Sequence, residues 1–135
     1  MTMLVDAGPL VALINPADRG HARCAASLKT LHGPLVTGWP VITEAMYLLG
    51  YAWQAQERLW DMLTEGHVAI LPLDDGDFPR MRSLMSRYRD LPMDLADAAL
   101  VRLAERERIR RVFTLDRRDF TLYRPEGIGR FEVVP

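Results

Sequence analysis

The stretch PMDLADAAL, Pro92 to Leu100, sets two carboxylates, Asp94 and Asp97, three residues apart at the head of an apolar helical pattern. Residues at i and i+3 are neighbours on a helix surface, so both acids belong to one side of the first turn. Two readings are open. Asp at an N-cap with an acid three residues later resembles a capping box and suits the positive end of the helix dipole. Alternatively, the pair holds a cation. Three further acids bear on the choice: Asp6, which ends the apolar run Met3 to Val5; Glu44, early in a helical stretch; and Asp116, which follows VFTL. Carboxylates brought to one place repel one another unless something neutralises them. A divalent ion held by several would do so, and would also activate water and stabilise charge on a phosphodiester.

Whether these acids meet depends on the elements that carry them. Met3–Val5 reads as a strand, and Pro9 fits the first turn of a helix through PLVALIN to Asn15. A second helix is expected from Asp18 to about Leu31, with Ala22, Ala25, Leu28 and Leu31 on one face. Leu35–Thr37 reads as strand two, followed by helices from about Pro40 to Tyr51 and from about Gln54 to Glu65. His67–Leu73 has the β-branched content of a third strand. A helix beginning near Asp77 carries Phe78, Met81, Leu84, Met85 and Tyr88 at helical spacing, and the Asp94 helix runs to about Glu107. Val112–Thr114 and Phe131–Val134 are the last strands, with no element read between Asp116 and Phe131. Alternating strands and helices imply right-handed crossovers and a mainly parallel sheet covered on both faces. The expected fold is therefore α/β: a three-layer sandwich with four or five mainly parallel strands, in one domain over residues 1–135.

Such a sheet binds ligands in the crevice outside the carboxyl ends of its strands. Asp6 and Asp116 directly follow strands, so both belong to that edge. The helix starting at Asp94 leads back into a parallel strand and begins at the same edge, and Glu44 lies early in the helix after strand two. Capping explains Asp94 and Asp97 but leaves Asp6, Glu44 and Asp116 as coincidence. A divalent cation accounts for all five. Oxygen-only donors suit Mg²⁺ or Mn²⁺, whereas zinc usually recruits His or Cys. Cys24, His21, His32 and His67 show no ligand spacing; the cysteine reads as a small, partly buried apolar residue and the histidines as surface or boundary residues. Asp94 caps its helix, holds the ion, or does both.

Composition narrows the partners. The chain has 135 residues, 49% hydrophobic and 26% charged, which is ordinary for one globular domain. The single cysteine excludes an internal disulfide and fits a reducing compartment. The N-terminus MTMLVDAGPL lacks the basic region of a signal peptide, and no apolar run approaches the roughly 20 residues that span a bilayer. A soluble, cytoplasmic location is expected, with no membrane partner. Setting the five acids aside from the net charge of −1 leaves the remainder at +4. Only Lys29 among the 17 basic residues is lysine, and seven arginines fall between Arg102 and Arg118. That run suits either phosphate recognition or local Glu–Arg pairs. Arg117 and Arg118, beside Asp116, are best placed for phosphates, while Arg110 and Arg111 precede their strand and belong at the opposite edge.

Four segments, VDAGPLVAL (5–13), VITEAMYLL (41–49), PMDLADAALVRLAE (92–105) and VFTLDRRDF (112–120), resemble in order and spacing the motifs of PIN-domain ribonucleases, especially the toxins of VapBC-type toxin–antitoxin pairs. The resemblance aligns Asp6, Glu44, Asp97 and Asp116 with the family's catalytic, metal-holding acids, with Asp94 often acidic as well. It matches Thr114 and Asp119 to accompanying polar positions that tend to support the metal site, and sets both with Arg117 and Arg118 on the substrate side. It implies Mg²⁺- or Mn²⁺-dependent hydrolysis of single-stranded or structured RNA leaving a 5′-phosphate, homodimerisation, and inhibition by a small antitoxin. One departure is Ala7, where many relatives carry Ser or Thr.

Trp39, Tyr47, Tyr51, Trp53 and Trp60 cluster with Met46, Leu48, Leu49, Leu59 and Met62. Stacking on bases is one use for such aromatics; protein–protein contact or core is favoured here. The rival functional class is a PIN-like RNA- or protein-binding module with little turnover, against which the retention of every principal acid argues. Other phosphate-handling α/β folds fit poorly. A receiver domain needs a lysine near its acids, and a haloacid-dehalogenase-like phosphatase wants an aspartate where Gly8 stands.

Overall fold

A computed structural model describes residues 1–135. Its centre is a five-stranded, wholly parallel sheet in the order β3-β2-β1-β4-β5, formed by β1 (Met3–Val5), β2 (Leu35–Thr37), β3 (Val68–Ile70), β4 (Arg111–Phe113) and β5 (Glu132–Val134). Helices α1 (Ala7–Ile14) and α2 (His21–Thr30) connect β1 to β2, and α3 (Trp39–Leu48) and α4 (Trp53–Thr64) connect β2 to β3. The chain then returns through a 3₁₀ turn at Asp75–Asp77, α5 (Phe78–Arg87) and α6 (Leu95–Glu107) to β4, on the other side of β1. α7 (Arg117–Leu122) leads into β5. Strand order thus reverses between β1 and β4, and at such a switch point the connections diverge and leave a crevice at the carboxyl edge.

Burial explains the layout. β1 and β2 are buried at every residue, as fits strands covered on both faces, whereas β3 and β5 form the partly exposed edges. In α6 eight residues are buried, among them Ala96, Ala98, Ala99 and Ala104, whose small side chains let neighbours approach almost all round. The expected strand and helix order holds, with three local differences. α7 went unread because RRDFTL is too short to show a helical period; its signal is the DRRD spacing, which repeats the i,i+3 pattern of DLAD. β3 is three residues long because the edge leaves little to pair with beyond Thr37, whose carbonyl accepts from Leu71 N. On α2 only Cys24 is buried, while Ala22 and Leu28 are exposed: a narrow strip packs against α1, not the wider face the spacing predicts.

Most of the arginine run serves the fold. Arg102 and Arg106 pair with Asp77, Arg108 donates to the Gly127 carbonyl, and Arg111 lies 3.6 Å from Glu132. Arg80 forms a two-bonded pair with Glu105 at 2.7 and 2.8 Å. Asp77 is 2% exposed; it accepts from Arg102 Nε at 2.7 Å, Arg106 Nη1 at 2.8 Å and Asp74 N at 3.0 Å, binding the turn before α5 to α6. Removing its charge leaves Arg102 without its acid and Arg106 with Glu107 alone, at 2.8 Å. Because both arginines are about a quarter exposed, the usual cost of breaking a buried pair is discounted. Asp77→Asn is expected to lower unfolding free energy by about 2 kcal/mol in urea titration; a change within about 0.5 kcal/mol, the range of a neutral surface substitution, would show the network to be ornamental.

Candidate active site

Three helices begin at the crevice, and an aspartate caps each. Asp6 follows β1 without a break and accepts from Ala7 N at 2.8 Å. Asp94 accepts from Asp97 N at 2.9 Å at the head of α6. Asp116 accepts from Asp119 N at 3.3 Å at the head of α7. The capping reading of Asp94 is therefore met in geometry, and the cap leaves its carboxylate on the pocket wall. Thr114, just past β4, donates its hydroxyl to Asp6 Oδ2 at 2.8 Å and accepts from Asp116 N at 3.0 Å. At the end of β2, the Thr37 hydroxyl donates to the Val5 carbonyl at 2.8 Å and fixes the strand end from which Asp6 projects.

The pocket so formed encloses about 470 Å³ and is walled by Asp6, Glu44, Asp94, Asp97, Asp116 and Asp119, with no Lys, Arg or His among its lining residues. Glu44 reaches it from the middle of α3, half-buried. One carboxylate oxygen each from Asp97, Asp116 and Asp119 lie within 4.8 Å of one another. Asp97, Asp116 and Asp119 would be the residues to hold a small divalent ion. The donor set is oxygen throughout, which fits a hard cation.

Four of the five expected ligands line one pocket with Glu44, the fifth. Asp119, expected to support the metal site and also set on the substrate side, stands in the tightest carboxylate group. Thr114, with the same expectations, is 1% exposed, and its hydroxyl is committed to Asp6 and Asp116. Arg117 is exposed, but its guanidinium donates to the Val133 and Pro135 carbonyls, which ties down the C-terminal strand. Arg118 is exposed beside Asp116. Arg110 and Arg111 line a separate cavity with Met1 and Pro34, at the opposite edge as their position requires. Ala7 is buried on the pocket wall, a methyl where a hydroxyl was the family expectation. Trp39, Tyr47, Tyr51, Trp53 and Trp60 are all exposed, Tyr47 at 83%, so the core alternative for these aromatics is wrong. Tyr123, which no local pattern singles out, donates to Asp97 Oδ2 at 2.6 Å across 26 residues of sequence.

Burial, and after it crowding, raises the proton affinity of Asp6, Glu44, Asp97 and Asp119. Burial pushes Asp97 up to about 8; the Tyr123 hydrogen bond eases the shift, and Asp6, Asp94 and Asp116 add to it. Glu44 is pushed up to about 7, again first by burial and then by Asp94 and Asp6. Asp6 is raised chiefly by burial against the opposing bonds from Thr114 and Ala7 N, and Asp119 is raised by burial and by Asp116.

The PIN domain family model matches residues 3–124. The chain belongs to the PIN-domain family. This PIN domain is similar to Ribonuclease VapC26 of Mycobacterium tuberculosis, with 31% identity over 135 residues covering 98% of the chain and all of that protein. Among solved structures it is similar to Mycobacterium tuberculosis VapC20, described as a sarcin-ricin loop cleaving toxin, with a TM-score of 0.82 at 16% identity over 98% of this chain and 99% of that one. It is also similar to VapBC2 from Rickettsia felis bound to a fragment of promoter DNA, with a TM-score of 0.72 at 15% identity over the full length of both. At those identities the two structures speak for the fold.

The raised acids of the PIN domain carry a stability consequence. Asp97 and Glu44 hold protons in the folded chain up to about pH 8 and 7, and lose them near pH 4 when unfolded. Their contribution is complete below about pH 4 and declines as pH rises toward 8. In EDTA the melting temperature is expected to fall between pH 5.5 and 8, less steeply in Asp97→Asn, by scanning fluorimetry. Mn²⁺ competes with those protons, so its stabilising shift should be larger at pH 8 than at pH 5.5. A metal-free melting temperature that rises across this range would contradict the assigned protonation.

Proposed function

We propose that this PIN domain is a divalent-metal-dependent endoribonuclease of the toxin type, hydrolysing phosphodiester bonds in single-stranded or structured RNA. The observation that carries the reading is a pocket of six carboxylates without a basic side chain, at the sheet's switch point. Full-length similarity to a ribonuclease supports RNA as the substrate. Asp97, Asp116 and Asp119 would hold Mg²⁺ or Mn²⁺, with Asp6 and Glu44 completing the acidic wall and Asp94 beside them. Bound there, the ion supplies Lewis acidity to a phosphate oxygen and makes a nearby water more acidic.

The chain's own residues divide the remaining work. Thr114 and Ala7 N hold Asp6 in one orientation. Glu44, titrating near neutrality in the metal-free protein, is suited to take the proton as a water oxygen bonds to phosphorus. The P–O3′ bond breaks, leaving a 5′-phosphate and a 3′-hydroxyl that gains a proton from solvent. Arg118, exposed at the rim, is available to a flanking phosphate.

A small antitoxin and a second copy of the chain are the partners in this reading. An apolar groove of about 640 Å³ between Trp39, Pro40, Leu73, Phe78, Met81 and Leu95 suits an apolar helix. An adjoining depression with Tyr47 and Thr43 includes Glu44 and Asp94, so an occupant of the groove would lie beside the acids. Tyr51, Trp53 and Trp60, exposed at and beyond the end of α3, offer apolar surface for a homodimer. No helix is long and apolar enough to cross a membrane; a cytoplasmic location goes with an RNA substrate.

Cleavage of a mixed, labelled RNA pool in Mn²⁺, Mg²⁺ or EDTA tests the reading. Cutting is expected with metal only. Asp6→Asn and Asp97→Asn are expected to slow it at least about 100-fold, equivalent to about 3 kcal/mol of transition-state stabilisation. Asp97→Asn protein as active as wild type would overturn the mechanism, and a folded, antitoxin-free protein that cuts nothing would leave the binding-module alternative.

A further inference from the structure

Tyr123 is fully buried, yet its hydroxyl ends on a pocket acid: it donates to Asp97 Oδ2 at 2.6 Å. We infer that Tyr123 is a positioning residue for Asp97, holding one carboxylate oxygen so that the other is presented to a divalent ion; this rests on the metal-dependent reading above. Asp97 belongs to the first turn of α6, whereas Asp116 and Asp119 open α7 and Tyr123 directly follows it. The hydroxyl therefore joins the two elements whose oxygens must converge within 4.8 Å.

The ring cannot easily turn away. It meets Tyr88 edge-on with centroids 5.0 Å apart and Phe120 at 5.2 Å, and Phe120 is braced in turn by Phe131 at 5.4 Å. Tyr123 N closes α7 by donating to the Asp119 carbonyl at 2.9 Å. A ring fixed in this way gives its hydroxyl one direction, and a carboxylate bound through one oxygen loses the freedom to rotate the other out of place. Groups that hydrogen-bond metal ligands act by such orientation, and their loss typically weakens metal binding 10- to 100-fold. Because Tyr123 is closed off from solvent, the hydroxyl acts through Asp97 and not on RNA.

The same aromatic cluster contains its own control. The Tyr88 hydroxyl accepts from Arg124 N at 2.8 Å and touches no pocket acid. Metal-stripped wild type, Tyr123→Phe and Tyr88→Phe are titrated with Mn²⁺ by calorimetry, with circular dichroism and melting recorded without metal. Tyr123→Phe is expected to stay folded and to bind Mn²⁺ about 10- to 100-fold more weakly, with Tyr88→Phe within about twofold of wild type. Equal Mn²⁺ affinity in Tyr123→Phe and wild type overturns the proposal alone. Equal weakening in both variants, or an unfolded Tyr123→Phe, reduces Tyr123 to a structural role and also overturns it. Wild type that binds no Mn²⁺ overturns the metal reading, and this inference with it.

Discussion

Mutual repulsion among the carboxylates at the carboxyl edge is the constraint to which the rest of the structure answers. At an effective dielectric of about 20, two full negative charges 4 Å apart repel by roughly 4 kcal/mol, and six acids share one wall here. Without a cation the chain has two means of relief. Asp97 and Glu44, pushed up first by burial and then by their acidic neighbours, retain protons to near neutrality, and hydrogen-bond donors are aimed at Asp6, Asp94, Asp97 and Asp116. Those donors hold the acids in place while blunting the charge that would drive them apart.

Three of the acids are held by capping. Each of Asp6, Asp94 and Asp116 accepts a backbone N–H at a helix start, so the partial positive charge of the helix end faces the pocket. Capping and ion holding, rival explanations of Asp94 and Asp97 in the sequence, are not exclusive in the fold. A cap consumes one oxygen lone pair and leaves the remaining carboxylate sites free. Thr114 adds a side-chain link between the β1 and β4 ends, so the two central strands carry their acids in fixed register.

Cations are kept to other duties. Arg80, Arg102 and Arg106 lock α5, α6 and the turn before them through Glu105 and Asp77, and Arg117 holds the C-terminal carbonyls. Of two uses for an arginine-rich run, bonding within the fold accounts for most of it: Arg102, Arg106 and Arg111 find carboxylates on neighbouring segments, and Arg108 and Arg117 find backbone carbonyls. The pocket consequently has no internal counter-ion, and its apolar flank is left to Trp39, Leu73 and Phe78.

The sequence by itself determined the α/β class, the parallel sheet, and the arrival of Asp6, Glu44, Asp94, Asp97 and Asp116 at one edge. It could do so because strand and helix periodicity is local, and because parallel topology forces every strand to end, and every returning helix to begin, on the same side. Local signals failed where an element was too short to show a period, as in α7, or where burial depended on a neighbour, as in α2. Tertiary structure alone decided which acids Asp119 and Thr114 meet, that the aromatics of α3 and α4 face outward, and that Tyr123 reaches Asp97. Each of these depends on a distance between segments remote in sequence, and such distances are fixed by how helices pack on the sheet, which no spacing along the chain encodes.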